Sequence, residues 1–211
     1  MIEKEKPHPQ KENHPKKGVS NSVDPIRDEE DIKTLIKFLD GDSRNSLLFI
    51  LGINTGIRST DILKLRVGDL KYLKPGQVYQ IIEGKTGKRN VIVINKSIRK
   101  ALDKFITDQS PDDRDFLFQS KKRDTQGQPQ PISVGSVNRL VKTWTKAINL
   151  KTGNYGARTL RKTWGYQQRV KFGVGFEVIA KRYNHSSPAV TMRYLGIEDK
   201  EVHNVLMNEI G

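Results

Sequence analysis

Residues 158–194 read RTLRKTWGYQQRVKFGVGFEVIAKRYNHSSPAVTMRY, and the chain is best read outward from them. Arg158 and Arg161 stand three residues apart, a spacing that puts both on one face of a helix. That helix is predicted over 158–172, ending at Gly173, with Leu160, Trp164 and Val170 turned inward. A short helix over 176–182 follows, then a polar turn around His185. Pro188 can open one more helix at its first turn, and Gly196 breaks it just after Tyr194. Two planar guanidinium forks can grip a phosphate and stay charged at any working pH. His185 adds a donor near neutral pH, and Tyr194, nine residues on, adds a phenol able to attack phosphorus. The shared chemistry is a phosphate clamp beside a nucleophile.

Composition narrows the partner. The 211 residues carry a formal net charge of +14 and no cysteine. Residues 1–24 hold five lysines against four acids, a net +1, so +13 belongs to residues 25–211. The excess therefore sits on the folded part, as a polyanion partner requires, although a merely soluble basic surface would carry charge too. Without cysteine there are no disulfides or thiolate metal sites, which suits a reducing interior. The longest apolar run, Leu47 to Ile53, is too short to span a bilayer, and the N-terminus has no apolar stretch resembling a signal peptide. The cytoplasm is the default location.

Residues 1–24 are polar, lack an apolar period and read as a disordered tail. One domain is expected over 25–211. Asp28 can cap a first helix bearing Ile32, Leu35, Ile36 and Leu39, and Ser43 a second that is apolar on most sides. The second ends at Thr55-Gly56, where glycine suits a left-handed stop. Arg58 follows, held between core helices yet near solvent, and Ser59 can cap the next short helix. In isolation Arg58 reads more readily as a helix-capping or salt-bridging arginine.

The period then changes. Val78–Ile82 and Val91–Ile94 are rich in β-branched residues around GKTGKR, the pattern of a β-hairpin with a basic turn. Lys85 at its tip can swing into a neighbouring site or simply stand in solvent. Gly84-Lys85-Thr86 is not a nucleotide-binding loop, because Tyr79 occupies the place of the required first glycine and a strand follows instead of a helix. A helix from Ser97 carries Leu102 and Phe105, and Gln119–Pro131 reads as a mobile loop. Ser133 or Ser136 starts a helix whose polar face bears Arg139, Lys142 and Lys146. A last amphipathic helix is predicted from Asp199.

Taken together, TGIRSTDILKLRVGDL, GKTGKRNVIVI, RTLRKTWGY and NHSSPAVTMRYLGI resemble the catalytic domain of the tyrosine recombinases, the phage integrase family. The resemblance runs from about Pro25 to the C-terminus. It implies an α+β, mainly helical domain with a small antiparallel sheet, acting on double-stranded DNA with no metal, nucleotide or other cofactor. It also implies the roles of five residues. Arg58 and Arg161 would hold the non-bridging oxygens of the scissile phosphate, and His185 would donate a hydrogen bond to it. Lys85 would protonate the leaving 5′-oxygen, while Tyr194 would attack and form a 3′-phosphotyrosine link. Tyr166 and Tyr183 fit better as packing residues.

Two departures stand out. The family usually has histidine where this chain has Arg158, and a guanidinium accepts no proton at neutral pH. Arg158 can still add positive charge that favours the phenolate. Relatives also commonly carry a helical core-binding domain ahead of the catalytic one, which 24 polar residues cannot form. The chain is therefore expected to be a catalytic-domain-only recombinase or part of a longer protein. The family recombines as a homotetramer on DNA, monomeric when free, with the segment after Asp199 a candidate for docking on a neighbour. Two other readings stay open: a DNA-binding accessory or regulatory protein that has lost strand transfer, and a type IB topoisomerase-like nicking enzyme.

Overall fold

Asp28 accepts the Glu30 N–H at 2.8 Å and caps α1, Glu29–Phe38. Three acids in the first turn and Lys37 in the last complement the helix dipole. The computed structural model describes residues 22–150, 152–197, 207 and 209. Of the expected polar tail only Ser22 to Asp24 are among these, and the helix expected from Asp199 lies outside them, Met207 and Glu209 apart. Asp24 is tied down: its N–H donates to the Asn154 carbonyl at 2.7 Å, and its carboxylate accepts the Asn154 N–H at 2.9 Å.

The centre of the molecule is α2, Ser43–Thr55, whose Leu47, Leu48, Phe49, Ile50 and Leu51 are all buried. Its cap is Asp42, not Ser43 as expected. The Asp42 carboxylate accepts both the backbone N–H of Asn45, at 3.0 Å, and its side-chain amide, at 2.7 Å. A single serine hydroxyl cannot match that pair. The short helix α3, Ser59–Ile62, shows a similar correction. Ser59 is its first residue, and its hydroxyl donates to the Ala157 carbonyl at 3.0 Å instead of capping. After α4, Val67–Leu70, comes the predicted hairpin: β1, Val78–Ile82, pairs antiparallel with β2, Arg89–Val93, from Val78↔Val93 to Ile82↔Arg89. Ile81 and Ile92 face the core, whereas Val78, Ile82, Val91 and Val93 face outward.

Helix α5, Lys96–Gln109, packs on α2 through Ile98, Leu102 and Phe105. The segment expected to be a mobile loop is instead a small irregular hairpin. In it β3, Gln119–Arg123, pairs with β4, Pro129–Pro131, through Gln119↔Pro131 and Arg123↔Pro129. Its two prolines are without N–H donors and hide a strand that pairs only at these places. Ser133 caps α6, Val134–Ala147, by accepting the Ser136 N–H at 3.1 Å. The last three helices among the described residues are α7, Ala157–Val170, α8, Phe176–Tyr183, and α9, Pro188–Leu195. Val170, expected inward, is exposed at the end of α7.

Helix α7 packs against α2 and α6, while α8 and α9 pack on each other. Among the described residues, two apolar clusters result. The larger surrounds α2. The smaller holds Phe176, Ile179, Tyr183, Leu195 and Ile197, with Trp164 and Tyr194 against it. The predicted architecture is what forms: mainly helical, with small antiparallel pairings. Among the described residues, no helix is long and apolar enough to cross a membrane.

Candidate active site

The site grows from the end of α2. Gly56 closes that helix at φ 63°, and a Cβ there would stand 2.5 Å from the Trp164 ring. Only glycine satisfies both demands. The stop frees the Gly56 carbonyl, to which Arg161 Nη1 donates at 2.7 Å. Two residues further, Arg58 emerges with its side chain 22% exposed, and its Nη1 meets Glu83 Oε2 at 2.5 Å.

Arg161 lies in the second turn of α7 and is 5% exposed. Its Nη2 donates to the Tyr183 carbonyl at 2.9 Å, and its guanidinium sits 4.3 Å above the Tyr183 ring. Burial pulls the group below its ordinary pKa, but a guanidinium starts so high that it stays a cation. Tyr183 is wholly buried, and its hydroxyl donates to the Arg161 carbonyl at 2.5 Å. The approach is possible because Gly165 has no side chain there to block the ring. Burial drives the Tyr183 phenol strongly upward, so it is packed, bonded and unsuited to ionise.

Asn184 ends α8 in the left-handed conformation and turns the chain into His185. Ser187 then caps α9 by accepting the Val190 N–H at 3.3 Å, with Pro188 at its first position. This places Tyr194 in the last turn, its ring 5.2 Å from that of His185 and 5.5 Å from that of Tyr183, both edge to face. His185 Nδ1 lies 3.0 Å from the Thr191 hydroxyl. Burial lowers the His185 pKa to about 4, helped by the charges of Arg161 and Arg58 and opposed by Glu83. Its ring is therefore neutral at pH 7. Burial raises the Tyr194 phenol, while the charges of Arg161, Arg158 and Arg58 and a hydrogen bond from Arg161 pull the other way.

Arg58, Arg161, His185 and Tyr194 thus gather in one place. Lys85 and Arg158 do not enter its interior. Lys85 stands exposed in the β1–β2 turn, which is docked by the Gly84 N–H donating to Asp61 Oδ1 at 2.9 Å. Arg158 is exposed on the first turn of α7, near enough for its charge to be felt at Tyr194.

Three residues went unnoticed in the sequence. Lys162 is buried, its Nζ 4.9 Å over the Tyr194 ring and donating to the Ser22 hydroxyl at 2.8 Å. Arg182 ties α8 to the end of α2 and to β2, with Nε donating to the Thr55 carbonyl at 2.9 Å and Nη1 to Asn90 Oδ1 at 2.5 Å. Glu83 is the third, its side chain 0% exposed. It accepts from Arg58, from the Thr86 hydroxyl at 2.8 Å, from Asn90 Nδ2 at 2.8 Å and from Asn184. These donors hold its carboxyl down at about 2, against the burial that would raise it. A signal for Glu83 did exist. Alternation along β1 puts Tyr79 and Ile81 inward, and continuing the period puts a carboxylate on the core face.

The Phage integrase family matches residues 27–201. The chain is 33% identical over 180 residues to "Probable integrase/recombinase YoeC" of Bacillus subtilis (strain 168), covering 84% of this chain and 91% of that one. It is 26% identical to "Tyrosine recombinase XerC" of Caldanaerobacter subterraneus subsp. tengcongensis, again over 84% of this chain but 48% of the relative's length. Among solved structures, XerA recombinase superposes with a TM-score of 0.68 at 20% identity, covering 89% of this chain and 67% of that one. A lambda integrase(75–356) dimer bound to a COC′ core site gives 0.59 at 16% identity, over 90% and 62%. These likenesses carry the fold, and the family match rests on the sequence itself. The chain belongs to the phage integrase family of tyrosine recombinases.

Proposed function

We propose that the chain is a site-specific DNA strand transferase that cuts and rejoins DNA through a 3′-phosphotyrosine intermediate. The observation that carries this reading is the convergence of Arg58, Arg161 and His185 around the half-buried Tyr194. Phosphoryl transfer asks chiefly for positioning and for cations around developing charge, and this site supplies both. Arg161 uses two of its donors on main-chain carbonyls and another on Tyr194, which fixes its plane and leaves its other N–H groups for a phosphate oxygen. Arg58 is held by Glu83 in the same manner. In the reaction the Tyr194 hydroxyl gives its proton to water and its oxygen bonds to phosphorus, the bond to the 5′-oxygen breaks, and Lys85 supplies the proton to that oxygen. His185, neutral at pH 7, donates one ring N–H to the phosphate. The phosphodiester energy is kept in the phosphotyrosine bond, so a second 5′-hydroxyl can reverse the step without ATP.

Double-stranded DNA is the partner this reading requires, and the +13 charge of residues 25–211 supports it. Assembly of four copies on DNA, monomers when free and a cytoplasmic location belong to the same proposal. The test is a nicked suicide substrate, from which the cut strand cannot return. The chain should form a covalent DNA adduct, and Tyr194→Phe should form none while binding the same DNA. An adduct that survives Tyr194→Phe overturns the assignment.

A further inference from the structure

Arg58, Arg161 and Arg182 share one cluster before any DNA arrives. Arg161 is buried, Arg182 half-buried, and their like charges repel. Glu83 is the carboxylate whose charge reaches Arg161, Arg182 and His185 alike. Its donors come from the α2–α3 turn (Arg58), the hairpin turn (Thr86), β2 (Asn90) and the C-cap of α8 (Asn184). Only a carboxylate accepts at both oxygens; an amide would present its own N–H groups to some of these donors. An anion this close to a phosphate site is a cost, since like charges repel there as well. A cost of that kind calls for a return in geometry.

Resting on the strand-transfer reading above, we propose that Glu83 is a positioning residue for DNA cleavage, fixing the Arg58 guanidinium where it meets the scissile phosphate without itself touching DNA. The competing account is a buried ion pair that serves stability alone. A substrate change separates the two. Replacing one non-bridging oxygen by methyl, a methylphosphonate, removes the phosphate charge that Arg58 would offset. Attack still forms the Tyr194–phosphorus bond, breaks the bond to the 5′-oxygen and leaves the proton on that oxygen.

Strand release is measured in single turnover, with protein saturating, on phosphodiester and methylphosphonate suicide substrates. Glu83→Gln should lose roughly tenfold to a hundredfold on the phosphodiester but less than about threefold on the methylphosphonate. Its affinity for DNA should change by less than about threefold, because rate and binding are separate readouts here. Glu83→Asp keeps the charge with a shorter reach and should lose about fivefold on the phosphodiester alone. It stands as the second variant if Glu83→Gln does not fold. Equal losses on both substrates, or no loss on either, overturn the role of Glu83. Failure of the wild-type chain itself to cut the phosphodiester overturns strand transfer first, and this role with it.

Discussion

Arg161 and Tyr183 hold each other by three contacts at once: guanidinium over ring at 4.3 Å, Nη2 to the Tyr183 carbonyl at 2.9 Å, and the Tyr183 hydroxyl to the Arg161 carbonyl at 2.5 Å. The pair welds α7 to α8 beneath Tyr194. A buried arginine is otherwise expensive, and here its donors are met by carbonyls that the ends of α2 and α8 leave unpaired.

Tyr183→Phe should therefore weaken the fold without abolishing cleavage. Losing the buried hydroxyl leaves the Arg161 carbonyl one donor short, a cost of about 1–3 kcal/mol. Denaturant unfolding reads the stability, and adduct formation on the suicide substrate should persist. Complete loss of adduct in a folded Tyr183→Phe would move the nucleophile from Tyr194 to Tyr183.

Gly56→Ala should be among the most damaging single-methyl changes in the chain. It combines a positive φ with a collision against Trp164, and should cost about 2–4 kcal/mol. The same change displaces the carbonyl that orients Arg161, so cleavage should fall at temperatures where the variant is still folded. Circular dichroism alongside the adduct assay tests both parts. An active Gly56→Ala with unchanged melting would contradict the account of this turn.

The pH dependence of stability has two separable windows. His185 titrates near 6.5 when unfolded and near 4 when folded, so the unfolded chain binds more protons between those values. The stability it contributes is full above about pH 6.5 and lost as pH falls toward 4. Glu83 moves from 4.5 down to about 2, so its contribution disappears in the lower window, below pH 4.5. Melting measured from pH 8 to pH 3 should show the upper decline flattened in His185→Gln and the lower one flattened in Glu83→Gln. An unchanged upper decline in His185→Gln would show that other groups cause it.

Arg158 tests what the missing histidine means. Its charge opposes the effect of burial on Tyr194, so Arg158→Ala should slow single-turnover cleavage by about tenfold. Arg158→His restores a group able to take a proton and should match or exceed the natural chain near pH 7.5. A substantial loss with histidine would mean that the fixed charge at this position outweighs proton acceptance.

The sequence by itself determined the order of the longer helices, the cap at Asp28, the left-handed stop at Gly56, the β1–β2 hairpin and the family signature from Arg58 to Tyr194. These follow from period, capping chemistry and turn residues, which act over a few neighbours and so are written locally. The tertiary structure alone decided what depends on distant partners. Ser59 stopped being a cap because its hydroxyl reaches Ala157, 98 residues away. Gln119–Pro131 became a hairpin by pairing across its own prolines. Glu83 became the anion of the arginine cluster because β1 carries it into the core beside Arg58, 25 residues earlier, and Asn184, far along the chain. Burial and charge are summed over everything that surrounds a group in space, and no short window of sequence contains that sum.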